Sequence, residues 1–159
     1  MDDHAHRQLA FLQHCDEIRR DGFICGDREI DTWFRNKSIN HHKNRVHIVT
    51  CVCFDDELGK PIGFYALSVV VEDATKLPNV GYRPFFGNPQ YFPCLGLVYV
   101  GVQQTLQGRG IGSTMMGRVI TEFADIGEEI GLPLLILTPL NSRAAAFYRG
   151  LGFAAYKKG

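Results

Sequence analysis

Two stretches in the C-terminal half carry residue types and spacings that could do chemistry. In the first, Gln107-Gly108-Arg109-Gly110-Ile111-Gly112, glycine alternates with other residues directly ahead of a strongly periodic segment. Glycines allow the close backbone approach that a diphosphate needs, and the N–H groups and dipole of a helix start favour an anion there. No lysine precedes Ser113-Thr114, so the turn is not a Walker A loop. The G-x-G-x-x-G spacing is absent and no β-α-β unit opens the chain, so the dinucleotide fingerprint is unmatched as well. A packing turn is the bland alternative; the position before a long helix favours phosphate. In the second stretch Asn141 is a helix cap and Tyr148 a phenol, with an ordinary pKa near ~10. Read without its neighbours, Tyr148 is a core aromatic on an amphipathic helix.

A third stretch, residues 35–45 (RNKSINHHKNR), holds Arg35, Lys37, Lys43 and Arg45 with no acid between them. Two readings stand side by side: a solvated helix face, or a face that contacts phosphates with strong salt dependence. His41, His42 and His47 lack a helical metal spacing with a carboxylate, so no metal is expected.

The elements that must position these residues follow from periodicity and turn signals. Residues 8–13 alternate weakly, as a first strand would. Asp27 is placed to cap a helix reaching about Lys43, with Ile30, Trp33 and Phe34 at three-four spacing. Residues 46–54 and 62–71, joined by a turn at 55–59, read as a hairpin. Residues 72–93, with Pro78, Pro84, Pro89 and Pro93, read as a long irregular loop. Residues 95–102 (LGLVYVGV) are a buried strand, 111–130 a helix stopped at Gly131, and 132–138 another strand. A short helix follows Asn141, and residues 153–158 are β-like. The class is mixed α/β in one domain spanning residues 1–159.

At 159 residues, 45% hydrophobic, with 17 basic and 17 acidic side chains, the chain can bury a core without staples. Zero formal charge argues against coating nucleic acid or anionic membrane by bulk charge. No window approaches the ~18 apolar residues of a membrane span, and the N-terminus lacks a signal-peptide pattern. Cys15, Cys25, Cys51, Cys53 and Cys94 are an odd set that suits a reducing compartment. Cys51 and Cys53 face one side of a strand and read as small buried hydrophobes. A cytoplasmic protein is expected, without membrane contact.

The glycine turn resembles the Q/R-x-x-G-x-G/A acetyl-CoA motif of the GCN5-related N-acetyltransferases. Asn141-Ser142-Arg143-Ala144-Ala145-Ala146-Phe147-Tyr148, followed by Leu151-Gly152-Phe153, resembles that family's N-x-x-A-x-x-F-Y-x-x-x-G-F signature. The resemblance covers at least residues 46–153. It implies a mixed sheet splayed between its fourth and fifth strands, with acetyl-CoA wedged into the opening. It implies that Val100 and Val102 bond the pantetheine arm, that the N–H groups of Gln107, Gly108, Arg109, Gly110, Ile111 and Gly112 hold the pyrophosphate, and that Asn141 contacts the cofactor. Tyr148 becomes the general acid for the leaving thiolate. The family also ends with one further strand, so the chain reads as one strand short, and truncation, a covering partner such as a second copy, or an N-terminal segment laid over that edge would explain it.

Phe23-Ile24-Cys25-Gly26, Glu29-Ile30-Asp31-Thr32-Trp33-Phe34 and Gly63-Phe64-Tyr65-Ala66-Leu67-Ser68 are similar to segments of the acetyltransferase toxins of toxin–antitoxin pairs. That resemblance implies aminoacyl-tRNA as the acceptor and a ribbon-helix-helix antitoxin as partner; independently of it, the charge excess at Arg35, Lys37, Lys43 and Arg45 marks them as the candidate contacts to an RNA. A protein or small amine as acceptor, or a non-catalytic acetyl-CoA-binding module, remain as alternatives. Residues 95–102 contain no carboxylate to act as base, which favours an α-amine; Glu57, Glu72 and Asp73 stand in reserve.

Overall fold

A computed structural model describes residues 7–73 and 91–155. Five strands form one sheet in the order β1-β2-β3-β4-β5. β1 (Leu9–Gln13), β2 (Ile48–Phe54), β3 (Gly63–Asp73) and β4 (Tyr91–Val102) are antiparallel neighbours, whereas β5 (Leu135–Leu137) runs parallel to β4. Residues 49–54 of β2 and 63–67 of β3 are buried on both faces, as their continuous apolar runs require, whereas Ile48 at the start of β2 and Val69 and Val71 in the second half of β3 are exposed. Cys51 and Cys53 are fully buried free thiols on one of those faces.

One face of the sheet packs against α3 (Ile111–Ile130) and α4 (Ser142–Gly150) through Met115, Met116, Val119 and Tyr148. The other face is covered by α1 (Arg28–Asn36) and α2 (Ser38–Lys43). Its core is aromatic: Phe34 stacks on Phe64 at 4.3 Å and Trp33 on Tyr99 at 4.0 Å between ring centroids. Asp27 caps α1 by accepting the Ile30 N–H at 2.9 Å, as expected of that residue type.

Four expectations change. The helix expected over residues 27–43 is two helices, broken at Lys37, where φ is −124°. The break turns Ser38 and Ile39 into the core, where the Ser38 hydroxyl donates to the Phe34 carbonyl and lies 2.8 Å from His14 Nε2. β3 and β4 extend into the segment read as a loop, pairing Glu72 with Phe92 and Asp73 with Tyr91, and Pro93 sits within β4 opposite Val71. The rest of that loop, with Pro78, Gly81, Tyr82, Pro84, Phe85, Phe86, Gly87 and Pro89, lies outside the described residues. The strand expected over 132–138 shrinks to three residues. Residues 153–155 take no regular structure, and the remainder of the expected last strand lies outside the described residues.

His14 joins the helical layer to the sheet, stacking on Phe34 at 5.5 Å. Burial, helped by the positive charge of Arg20 and His42, pushes its pKa down from 6.5 to about 4. The folded chain therefore keeps His14 neutral where the unfolded chain protonates it. Its stabilisation is complete above pH 6.5 and is lost as pH falls from 6.5 toward about 4. The loss is expected to reach on the order of 2 to 3 kcal/mol. Urea unfolding at pH 7 and pH 4.5 should show a shallower pH dependence in His14→Gln than in the parent chain; equal slopes would acquit His14.

Candidate active site

The sheet forks at one place. β5 pairs only with Leu95, Gly96 and Leu97 of β4. Directly after Leu97 the β3 register jumps from Leu67↔Leu97 to Ala66↔Tyr99, which leaves Val98 as a bulge. Beyond it β4 is paired with β3 alone. The Gln103 N–H donates to the Ile62 carbonyl at 2.8 Å, in register with Gly63↔Val102 and Phe64↔Gly101. Antiparallel alternation then gives Gly101 and Gln103 to β3 and turns the backbone groups of Val100 and Val102 toward the fork. These are the two residues expected to bond a cofactor arm; the Val102 carbonyl already accepts from Gln107 Nε2 at 2.9 Å.

The chain leaves β4 through a 3-10 turn at Gln104–Leu106 and enters the glycine turn. Gly108 and Gly110 are left-handed, with φ of +80° and +86°, and Gly110 is the N-cap of α3 without a side-chain cap. First-turn N–H groups of a helix have no acceptor within it. Those of Ile111, Gly112 and Ser113 therefore depend on a partner outside the helix. A Cβ at Gly108 or Gly110 would meet nothing within 4 Å, so glycine is needed there for its backbone angle. Arg109 lies between them on the exposed turn. Gln107 is different: its N–H reaches the Gln104 carbonyl at 3.4 Å, and its side-chain Nε2 donates to Val102 O at 2.9 Å and Cys25 O at 2.6 Å.

α4 closes the other side. Asn141 Oδ1 accepts the Ala144 N–H at 2.9 Å, a helix cap that fixes where α4 begins. A Cβ added at Gly112 would lie 3.7 Å from Phe147 Cζ and 4.0 Å from Val102 Cγ2, so the end of β4, the start of α3 and α4 converge. Tyr148 follows Phe147 and is buried, its ring held edge-on by Phe147 at 5.3 Å and Phe153 at 5.9 Å. Burial raises its pKa, so the phenol stays protonated at neutral pH.

Arg35, Lys37, Lys43 and Arg45 are exposed in the helical layer on the opposite face, apart from the fork. Lys43 pairs with Asp16 at 2.7 Å. Arg20, which carried no signal in the sequence, joins them by donating to the Arg35 carbonyl at 3.1 Å. Of the reserve carboxylates, Glu57 is held by Arg7 at 2.6 Å in the β2–β3 turn, and Glu72 and Asp73 sit at the far end of β3. Sequence reasoning also missed the ring cluster beneath Tyr99, where Trp33, His41 and His47 lie 5.1 to 5.7 Å apart. Burial lowers the His47 pKa, as does the neighbouring His41. Among the described residues no group of three His, Cys, Asp or Glu could hold a metal, and no helix is long and apolar enough to cross a membrane.

A strand edge turned into a fork, beside a helix start that offers N–H groups to an anion, is what an enzyme needs to hold a nucleotide-borne thioester and move its acyl group. The chain belongs to the acetyltransferase (GNAT) family, whose model matches residues 12–153. It is 30% identical over 129 residues to a tRNA-acetylating toxin of Mycobacterium tuberculosis, covering 79% of this chain and 72% of that protein. Among solved structures it resembles AtaT complexed with acetyl-methionyl-tRNAfMet, with a TM-score of 0.83 at 20% identity over 92% of this chain and 87% of that one. A Tyr-to-Phe variant of AtaT bound to the C-terminus of the antitoxin AtaR and acetyl-CoA gives a TM-score of 0.73 at 20% identity, covering 92% and 84%. The chain is thus an acetyl-CoA-dependent acetyltransferase by family, with the splayed sheet of that fold.

Gly110→Ala forces a Cβ into the left-handed region at a strain of roughly 1 kcal/mol, or else rotates the turn's N–H groups away. Acetyl-CoA affinity measured by calorimetry should fall by about fivefold or more. An unchanged affinity would place the anion elsewhere.

Proposed function

We propose that this enzyme acetylates the α-amino group of an aminoacyl-tRNA, as the cytoplasmic toxin of a toxin–antitoxin pair held in check by a small ribbon-helix-helix antitoxin. The observation that carries the reading is the match to a tRNA-acetylating toxin over most of both chains. The structural neighbours that hold an acetylated tRNA, or an antitoxin with acetyl-CoA, support it.

In this reading the N–H groups of Gly108, Arg109, Gly110, Ile111 and Gly112 hold the pyrophosphate, with Gln107 supporting the turn. Val100 and Val102 hold the pantetheine arm along the open edge of β4. Asn141 sets the start of α4 and so the place of Tyr148. Acetyl-CoA supplies an activated acetyl group on a sulfur that leaves as a thiol. As the amine nitrogen bonds to the acetyl carbon and the carbon–sulfur bond breaks, Tyr148 gives its proton to the sulfur. The amine's surplus proton passes to water, and Tyr148 is reprotonated. Its raised pKa keeps the donor form populated. Arg35, Lys37 and Arg45, with Arg20 and the Asp16-paired Lys43, form the surface for tRNA phosphates.

Tyr148→Phe keeps the ring packed between Phe147 and Phe153 and removes only the proton. Turnover should drop by about 100-fold or more while acetyl-CoA binding and unfolding midpoint hold; full turnover would remove Tyr148 from the acid role. Expression without an antitoxin should arrest growth and translation, and Tyr148→Phe should relieve the arrest. Healthy growth with Tyr148 intact, alongside turnover on a protein or small amine, would reassign the acceptor. The salt slope of tRNA binding should fall by about one for each of Arg35→Ala and Lys37→Ala.

A further inference from the structure

Residues 23–26, which lie ahead of α1 and far from the glycine turn in sequence, are bound to that turn by a set of hydrogen bonds. The Ile24 N–H donates to Gln103 Oε1 at 3.1 Å, and the Ile24 carbonyl accepts the Gln104 N–H at 2.7 Å. The Cys25 carbonyl accepts from Gln107 Nε2 at 2.6 Å, and the same nitrogen donates to the Val102 carbonyl at 2.9 Å. An amide nitrogen has two protons. Both are used here, and the remaining atom, Oε1, can only accept. The Gln107 side chain is therefore not a ligand for an anion in this arrangement; it joins the end of β4 to the segment at 23–26.

That segment is itself firmly held. Phe23 is 1% exposed and packs edge-on between Phe34 at 5.0 Å and Phe64 at 5.5 Å. A Cβ at Gly101 would come within 3.2 Å of Cys25 Cβ, so glycine in β4 is what lets Cys25 settle against the strand. The Cys25 N–H donates at 2.8 Å to Oδ1 of Asp31, a carboxylate only 8% exposed on α1. Burial pushes the Cys25 thiol up to about 12, so this sulfur packs and does not react. The connected path runs from α1 through Asp31 to the Cys25 peptide, then through Gln107 to Gly108.

We propose that residues 23–26 are a strut that fixes the glycine turn for acetyl-CoA, with Gln107 and Asp31 as its positioning residues. This rests on the reading of the turn as the cofactor cradle. Two left-handed glycines make a pliant turn, and pliancy costs binding free energy each time the N–H groups must be ordered around an anion. Anchoring Gln107, the residue just before Gly108, to a segment buried among Phe34 and Phe64 removes that freedom in advance. It also ties the turn to α1, whose last turn carries Arg35 of the proposed tRNA surface.

The test uses the full chain with acetyl-CoA and a working acceptor. Gln107→Met keeps the length and loses both donors; Asp31→Ala loses the acceptor for Cys25. Each should raise Kd and KM for acetyl-CoA about tenfold while kcat at saturation stays within about threefold. The Asp31 arm excludes a charge effect, because removing a carboxylate would by Coulomb's law favour an anionic ligand. Gln107→Arg, which keeps donors for both carbonyls, and Asp31→Asn, which keeps the acceptor, should restore binding to within about threefold of the parent. The double variant Gln107→Met/Asp31→Ala should lose less than the product of the single losses, since both act through the backbone of one residue, Cys25. Unfolding midpoints accompany every variant, so a chain that fails to fold is recognised and the Arg and Asn variants carry the comparison. Unchanged affinity in Gln107→Met, failure of Gln107→Arg equal to that of Met, or strictly multiplicative losses would each overturn the strut. If the parent chain does not bind acetyl-CoA at all, the cradle reading falls and the strut falls with it. If Gly110→Ala weakens binding and Gln107→Met does not, only the strut is lost.

Discussion

The separation of β5 from β4 after Leu97 is the constraint on which the rest depends. A strand in the middle of a sheet has both edges consumed by neighbours, and its backbone can do nothing else. Here three residues of pairing end at a bulge, and the next four residues of β4 keep one neighbour and turn the other edge outward. The bulge matters as much as the parting. Without the extra residue at Val98, alternation would give the backbone groups of Val100 and Val102 to β3, and those of Gly101 to the fork.

An open edge of this kind is expensive unless the layers on both faces hold the strands apart. The α3 face does so with Met115, Met116 and Val119 packed against the sheet, and the α1 face does so with the stacked rings of Trp33, Phe34, Phe64 and Tyr99. In the proposed function both layers then serve by position. α3 begins at the glycine turn because β4 ends beside it, and α1 presents cations because its apolar side is committed to the rings. Neutral overall charge is compatible with this arrangement. Backbone N–H groups at the turn need no lysine excess, and Arg35, Lys37, Lys43 and Arg45 lie together in the helical layer although the chain as a whole is neutral.

What the sequence revealed was local. The bounds of α3 were legible at both ends, because Gly110 and Gly131 adopt left-handed angles that few other residues tolerate. The Asp27 and Asn141 caps were legible for the same kind of reason: a short polar side chain satisfies an N–H three residues ahead. What stayed hidden was settled at long range. Nothing near Lys37 announces a helix break, and the buried Ser38 hydroxyl just after it meets His14, 24 residues away. The partner of Gln107 lies 82 residues back, beyond any motif window. Gln107 belongs to the cofactor motif, yet its side-chain nitrogen is committed to the Val102 and Cys25 carbonyls, which no spacing rule would indicate. The short β5 was read as longer because Leu132 and Leu134 are apolar; Leu132 serves the α3 core and Leu134 the small cluster around Phe92 and Cys94.

The placement of carboxylates bears on the acceptor. Glu122 accepts a hydrogen bond from the buried Tyr65 hydroxyl at 2.9 Å and also pairs with Arg118. Asp31 is occupied by Cys25, and Glu57 by Arg7. Glu72 lies opposite Phe92, six residues along β4 from the bulge, or roughly 20 Å of extended strand. None of these carboxylates is disposed to take a proton at the fork. A lysine ε-amine, with a pKa near ~10.4, would arrive there almost wholly charged and would need a base. An α-amine near ~7.7 to 8.0 is neutral several-hundred-fold more often at the same pH. In the proposed reading, with Tyr148 as the acid and none of these carboxylates beside the fork, the site favours an amine that brings its own reactivity, and the ester-linked α-amine of an aminoacyl-tRNA is of that class.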